Sequence, residues 1–406
     1  MSIKPERGGV CAPQGFLAAG IHCGLAKKAE KKDLALIYSK VPCAAAAVYT
    51  KNKVKAAPLE VTRQHLADGK AQAILCNSGN ANACNADGVE VATRMCKAAA
   101  KALKLFPEDV VVASTGVIGQ PLPVKLVEDA VPRLSAALSQ QGSADAKAAI
   151  MTTDLLEKEI AVSFPIGNKV CKIGGIAKGS GMIHPNMGTM LAFLTTDVEI
   201  SPAMLQQALN TVVANTFNMV SVDGDTSTND MAVILANGLA KNAPITGPGE
   251  AYDTFLKALT HICIYLARMI AKDGEGATKL LECMVSGAPD EATAKVLAKS
   301  VICSNLFKAA MFGADANWGR VLCALGYADA DFDVSKVKVS FVSPAGSVTV
   351  CENGVGVPFS EEEAKKVLLE SEIEIQIELF QGEGCAVAWG CDLSYDYVRI
   401  NGDYRS

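Results

Sequence analysis

Half of the 406 residues are apolar and a fifth are charged, a balance that excludes extensive disorder and allows a sizeable core. The net charge of -5 comes with no Lys/Arg cluster, which argues against a nucleic-acid partner and leaves a small molecule as the expected one. The length suits two or three cores, or one large intertwined fold.

The fourteen cysteines are scattered, with no Cys-x-x-Cys pair and no Cys/His grouping at metal-ligand spacing, so no metal site is expected. Cys76, Cys263, Cys283, Cys303 and Cys323 lie in apolar runs, where a thiol acts as a small hydrophobe. No basic start leads into an apolar stretch, so no signal peptide is expected. Apolar stretches such as 261–270 are too short to span a bilayer. A reducing cytoplasm, free thiols and no membrane partner are the expectation.

In chain order, 34–39, 44–49 and 71–77 read as strands, the last leading into a turn-rich loop, Asn77-Ser-Gly-Asn-Ala-Asn-Ala-Cys-Asn85. A helix is expected at 88–105, and a short strand at 110–113 that stops at a Gly-bounded turn, Ser114-Thr-Gly-Val-Ile-Gly119. Ser201-Pro202 supplies an N-cap and an N1 proline for a helix to about Asn218. Further helices are expected at 252–271 and 290–312, with a charged loop, Asp273-Gly-Glu-Gly-Ala-Thr-Lys279, and a strand at 280–285 between them. A hairpin at 337–342 and 347–351, a capping box at Ser360-Glu-Glu-Glu363 and an alternating strand at 372–379 complete the chain. Strands and helices do not alternate regularly, so the fold class is α+β.

Only four histidines are present, His22, His65, His184 and His261, and none has neighbours suited to a catalytic triad or a multi-histidine metal site. His261 sits in an apolar helical stretch and reads as a core histidine, while His184 reads as a loop residue. This scarcity favours chemistry that needs no histidine.

The run Lys178-Gly-Ser-Gly-Met-Ile-His-Pro-Asn-Met-Gly188-Thr189 supplies such chemistry. A glycine-punctuated loop meets Gly188, and Thr189 opens an apolar run that reads as a buried strand. The Thr189 hydroxyl could attack the Gly188 carbonyl to give an ester by an N-to-O acyl shift, and water would then free the Thr189 amine. Gly188 suits this because it takes strained backbone angles without a Cβ penalty. The freed α-amine would serve as the base for its own hydroxyl. A Gly-Thr pair at an ordinary strand start is the plain alternative. Asp223-Gly-Asp225 with Asn229-Asp230 mimics part of a calcium loop but lacks the later bidentate glutamate, and Lys178 has no phosphate cradle that would make it a pyridoxal lysine.

Lys178-Gly-Ser-Gly-Met, Gly188-Thr-Met-Leu and Thr195-Thr-Asp197 closely resemble the self-cleavage region of the glutamate N-acetyltransferases of arginine biosynthesis, also called ornithine acetyltransferases. The resemblance extends through Asn77-Ser-Gly-Asn-Ala-Asn-Ala, Ser114-Thr-Gly-Val-Ile-Gly119, Met151-Thr-Thr-Asp154 and Asp223-Gly-Asp-Thr-Ser-Thr-Asn-Asp230. It continues in Asp273-Gly-Glu-Gly-Ala-Thr-Lys279, Gly313-Ala-Asp-Ala-Asn-Trp-Gly319 and Asn401-Gly-Asp-Tyr-Arg-Ser406, so nearly the whole chain is covered in order.

The resemblance implies a layered α+β fold in which an α chain (1–188) and a β chain (189–406) stay intertwined after cleavage between Gly188 and Thr189. It implies that Thr189 takes the acetyl group of N-acetylornithine as an ester, releasing ornithine, and passes it to glutamate to give N-acetylglutamate. Thr115 and Gly116 would form the oxyanion hole. Thr152 (or its neighbour Thr153), Lys178, Thr189, Glu275, Asn401 and Ser406 would contact substrate, and the Lys178 cation would help keep the Thr189 amine neutral. No cofactor or metal is implied. Acetyl-CoA is a second acetyl donor in some family members only, and no motif here decides it. Paired αβ units (α2β2) are the implied assembly. The alternatives are an N-terminal-nucleophile aminopeptidase of related architecture, which passes the acyl group to water, and a catalytically silent small-molecule binding protein with an uncut loop. Lys178, Glu275 and Asn401 show no departure from the acetyltransferase pattern, which favours transfer.

Overall fold

In the computed structural model, which describes residues 3–184 and 190–403, two mixed β-sheets are built with helices between and outside them. Strands β1 (Lys4–Glu6), β2 (Phe16–Ile21), β3 (Leu34–Tyr49), β4 (Lys70–Asn80), β5 (Val110–Val117), β6 (Lys158–Ile166), β7 (Lys169–Lys178) and β8 (Leu191–Thr196) belong to the first sheet. β9 (Val220–Ser221) starts the second, and β10 (Met231–Ala236) returns to the first. The second sheet is completed by β11 (Leu280–Ala288), β12 (Lys338–Ser343), β13 (Gly346–Glu352), β14 (Val355–Gly356), β15 (Glu372–Glu378) and β16 (Gly384–Cys391). The first sheet has the order β1-β6-β7-β8-β10-β3-β4-β5 with β2 beside β3, and the second β14-β13-β12-β15-β11-β16-β9. The class is α+β, as the irregular alternation of elements implies.

Helices α1 (Ala57–His65), α2 (Gly88–Leu103) and α3 (Val124–Ala136) cover the β3–β5 end of the first sheet, and α4 (Ser143–Ile150) packs on β2 and β3. Helix α5 (Pro202–Asn215) packs on β3 and beside α6 (Glu250–Lys272), and α6 lies between the sheets, touching β6 and β7 on one side and β11 and β16 on the other. Outside the second sheet are α7 (Glu291–Cys303), α8 (Asn305–Phe312), α9 (Trp318–Gly326) and α10 (Glu361–Leu368), and α11 (Tyr395–Asp403) ends the described chain.

The apolar run after the Gly188–Thr189 junction explains the centre of the first sheet. In β8, Leu191 and Phe193 join the core shared with α4, while Ala192 and Leu194 join the core shared with α5 and α6. Successive side chains point to opposite faces, and both faces are buried, so the strand reads as unbroken apolar sequence. β8 is bonded to β7, from before the junction, and to β10, from after it. Strands from 1–188 and from 189–406 therefore share one sheet.

Several sequence expectations are corrected. The segments 34–39 and 44–49 are one strand, β3, whose pairing with β4 shifts register between Tyr38 and Cys43. β4 runs on to Asn80, so the polar loop begins later than Asn77. β5 does not stop at Ala113, because its parallel ladder with β4 continues through Asn77↔Ser114, Ser78↔Thr115 and Gly79↔Gly116. The stretch 290–312 is two helices, since Ser304 breaks it and caps α8 by accepting from the Phe307 N–H. His261 is exposed on α6, Cys303 is half-buried, and Cys323 is exposed. With 23 residues, α6 is long and apolar enough to cross a membrane by length and composition alone, unlike the 261–270 stretch by itself. Its apolar face, including Phe255, Leu259, Ile262 and Leu266, is buried in the core between the sheets.

Candidate active site

Three strand ends meet side by side at one end of the central strands of the first sheet. Lys178, the last residue of β7, pairs with Leu191, the first of β8, and Leu191 pairs with Met231, the first of β10. Thr115 and Gly116 come from the end of β5, Thr152 from the loop after α4, Glu275 from the loop after α6, and Asn401 from α11. Lys178, Thr115, Gly116, Thr152, Glu275 and Asn401, together with Thr153, line one cavity of about 160 Å³. Met190 and Leu191, directly after the junction, line it too. Gly188 and Thr189, the expected cleavage pair and nucleophile, lie outside the described residues, as does Ser406.

The β5 end of the cavity requires glycine. Gly116 has φ +131°, and a Cβ there would come within 2.4 Å of the Gly79 carbonyl carbon. Thr115 is buried beside it and accepts a hydrogen bond from Lys178 Nζ at 3.4 Å. The preceding peptide is held from the other half of the chain: Asn229 Nδ2 donates to the carbonyls of Ser114 (2.8 Å) and Ala81 (2.6 Å). Thr228 Oγ1 donates to Asn229 Oδ1 at 2.6 Å and sets the amide's orientation.

Behind Lys178 and Thr152 lies a buried ionic cluster. Lys158, wholly buried, places Nζ 2.8 Å from Asp154 Oδ1 and 2.5 Å from Asp273 Oδ2. Asp154 also accepts from the N–H groups of Thr152 (2.9 Å) and Gly179 (2.7 Å). Asp273 accepts from the N–H groups of Leu155 and Leu156, and its own carbonyl accepts from Ser180 Oγ. Burial alone would raise the Asp154 pKa, but the Lys178 and Lys158 charges outweigh it and hold the carboxyl well below the usual range. Burial prevails at Asp273, and its pKa is raised.

On the opposite wall, Asn401 Nδ2 donates to Glu275 Oε2 at 2.8 Å, and the Glu275 N–H donates to the Ser180 carbonyl. The Glu275 carboxylate lies against Gly181, where a Cβ would meet its Cδ at 2.3 Å. The segment entering the junction is anchored by Asp223, whose carboxylate accepts from the N–H groups of Met182 (2.6 Å), Ile183 (2.9 Å) and Asp225 (3.1 Å). The loop that resembles a calcium site thus spends this carboxylate on backbone donors. The His184 ring lies 3.1 Å from Ser221 Oγ and 3.6 Å from Cys303 Sγ. Burial, reinforced by the Lys299 charge, lowers its pKa to about 4, so the ring is neutral at pH 7.

A cation, hydroxyls, a carboxylate and an amide around a small cavity suit a ligand that carries both a carboxylate and an amine. Asp154, Lys158, Asp273 and Asn229 were not singled out as site residues from sequence. Asp154, Asp273 and Asn229 sit inside motifs quoted above, but Asp273 and Asn229 find their partners more than a hundred residues away, and Asp154 reaches Gly179 across 25 residues. Lys158 carried no local signal, since a lysine at a strand start normally reads as solvated.

Comparison with known proteins places these motifs in one family. The model of the ArgJ family matches residues 17–406. A protein of Caldanaerobacter subterraneus subsp. tengcongensis named "Arginine biosynthesis bifunctional protein ArgJ" is 51% identical over 97% of this chain and 98% of its own. A protein of the same name from Symbiobacterium thermophilum is 52% identical over 98% of this chain and 99% of its own. The crystal structure of arginine biosynthesis bifunctional protein ArgJ from Bacillus halodurans matches with 46% identity and a TM-score of 0.51, covering 53% of this chain and 100% of the solved chain. Matched along nearly its whole length, with the family's motifs gathered around one cavity, this chain belongs to the ArgJ family.

Proposed function

We propose that this protein transfers the acetyl group of N-acetylornithine to glutamate in arginine biosynthesis, through an acetyl ester on Thr189. The observation that carries this reading is the convergence of Thr115, Gly116, Thr152, Lys178, Glu275 and Asn401 on the cavity that Met190 and Leu191 line. Thr189 directly precedes those two residues in the chain.

The chain cleaves itself between Gly188 and Thr189, and the parts 1–188 and 189–406 stay together because they share the first sheet. The solved Bacillus halodurans chain supports this division: it is matched in full by about half of the present chain, whereas the curated relatives match from end to end. The new Thr189 amine takes the hydroxyl proton as oxygen attacks the acetyl carbonyl. Thr115 and Gly116 stabilise the oxyanion, and an interaction of this kind typically lowers a barrier by about 3 kcal/mol. Ornithine leaves with the proton, glutamate enters the same cavity, and its neutral amine attacks the acetyl-Thr189 ester; the ester C–O bond breaks, the amine's proton returns to the Thr189 oxygen, and N-acetylglutamate leaves. Lys178 and Thr152 hold the carboxylate side of both substrates, and Glu275 with Asn401 meets an amine. Ser406 reaches the same site from the C-terminus.

The relatives' name, bifunctional, supports acetyl-CoA as a second acetyl donor to glutamate. It also favours transfer to an amino acid over the aminopeptidase reading. The protein acts in the cytoplasm as paired αβ units, a setting that suits its free cysteines.

Intact-mass spectrometry with Thr189→Ala tests the reading. Wild type should give two fragments, the second starting at Thr189, and should form N-acetylglutamate from N-acetylornithine and glutamate. The variant should remain one chain of 42.4 kDa without turnover. Turnover in the variant, or an uncut wild type, would refute the nucleophile.

A further inference from the structure

We propose that Asp154 is a positioning residue of this site, acting through Lys178 on the hydroxyl of Thr115; the inference rests on the acetyl-transfer reading. An ammonium carries three donors and no acceptor, so the contact from Lys178 Nζ uses the Thr115 oxygen as an acceptor. The hydroxyl proton of Thr115 is then directed away from Lys178 and remains available to the cavity that Thr115 lines. A cation on the oxygen also makes that O–H a stronger donor. Thr115 can thereby offer a side-chain hydrogen bond to the acetyl oxygen as negative charge grows on it.

What fixes Lys178 is Asp154. Its Oδ1 accepts from the N–H of Gly179, the residue that follows Lys178, at 2.7 Å. The Lys178 charge helps hold the Asp154 carboxyl below its usual range, so the two charges interact through the interior without a direct ion pair between them. Asp154 Oδ2 accepts from Thr152 N–H at 2.9 Å, with the Thr152 hydroxyl at 3.5 Å. One carboxylate thus addresses residues on two walls of the cavity. Lys158 keeps it there: the ammonium is shared between Asp154 and Asp273, leaving one net negative charge that Lys178 and Lys31, whose Nζ donates to the Thr152 carbonyl at 3.2 Å, both stabilise. Both Asp154 and Lys158 side chains are wholly buried, so neither charge is screened by water. Asp273 can serve as the structural partner of Lys158 without Asp154, which separates the two roles.

The test is a double-mutant cycle of Asp154→Asn with Thr115→Val, measured as N-acetylornithine-to-glutamate transfer, with a crystal structure of the single Asp154→Asn variant. Asparagine keeps the size and one acceptor oxygen, and Lys158 retains Asp273. A misaligned oxyanion donor is expected to lower kcat on the order of 10–100-fold, with KM within about threefold. Lys178 should withdraw from the 3.4 Å contact with Thr115. In the Thr115→Val background, where no hydroxyl remains to orient, Asp154→Asn should cost less than about threefold. Thr115→Ser, which keeps the hydroxyl, should restore the full effect. Additive losses in the cycle, or a retained Lys178–Thr115 contact, overturn the proposal. Should Asp154→Asn fail to accumulate, Asp154→Ser with Thr115→Val forms the same cycle, since the smaller side chain also leaves Lys158 its Asp273 partner. A wild-type protein that does not transfer acetyl from N-acetylornithine to glutamate overturns the functional reading instead, and the crystal structure then decides the positioning alone.

Discussion

Asn229 and Ser114 belong to opposite sides of the Gly188–Thr189 junction, yet Asn229 Nδ2 donates to the Ser114 carbonyl at 2.8 Å in a buried setting. The same amide group also donates to the Ala81 carbonyl, so one side chain from the second part of the chain holds two backbone segments of the first. Asn229→Ala would leave both carbonyls buried without this donor, at a cost of about 1–3 kcal/mol. The expected result is a lower thermal midpoint together with a loss of kcat on the order of tenfold, because the peptide before Thr115 is released. Thermal melts and acetyl-transfer assays on the same preparation check both.

Gly181→Ala separates the chemistry from the fold. The added methyl would meet the Glu275 carboxyl group, a movable side-chain end, and not backbone. The variant should fold with a melting point within a few degrees of wild type, while Glu275 is pushed off its contact with Asn401. Activity should fall at least tenfold, mostly as a raised KM if Glu275 meets the substrate amine in ground and transition states alike.

Gly116→Ala should behave differently. Both its φ of +131° and the approach to the Gly79 backbone forbid a Cβ, and neither neighbour can swing aside. Strain and overpacking together predict a loss on the order of 3 kcal/mol, seen as a reduced urea midpoint or as insoluble protein.

His184 predicts an acid dependence of stability. Its folded pKa of about 4 lies below the ordinary 6.5, so the unfolded chain binds the extra proton between those values. Stability from this residue is full above pH 6.5, declines as pH falls toward 4, and changes no further below that. His184→Gln should flatten this part of the curve. Urea midpoints at pH 7 and pH 4.5 check it: the wild type should lose more between the two than the variant.

The elements legible in sequence were those with local grammar. The Ser201 and Ser360 caps start helices as expected, with Ser201 accepting from Met204 and Ser360 from Glu363. Strand 372–379 alternates buried and half-buried residues as its pattern implies. Failures arose where partners decided the outcome. β5 continues past Ala113 only because β4 supplies a ladder, and His261 faces outward only because the opposite face of α6 is the one between the sheets.

The sequence by itself determined the chemistry available: a Gly-Thr junction between a loop and an apolar run, few histidines, and motifs whose residue types are set one by one. Tertiary structure decided what those residues do together. The charges of Asp154, Lys158 and Asp273 become a single cluster, and Asn229 becomes a clamp, only when segments more than a hundred residues apart are packed beyond the reach of water. Hydrogen bonds and ion pairs there depend on burial and on the partner's position. No local pattern encodes either of these, and both follow from how β7, β8 and β10 come together at one end of the sheet's central strands.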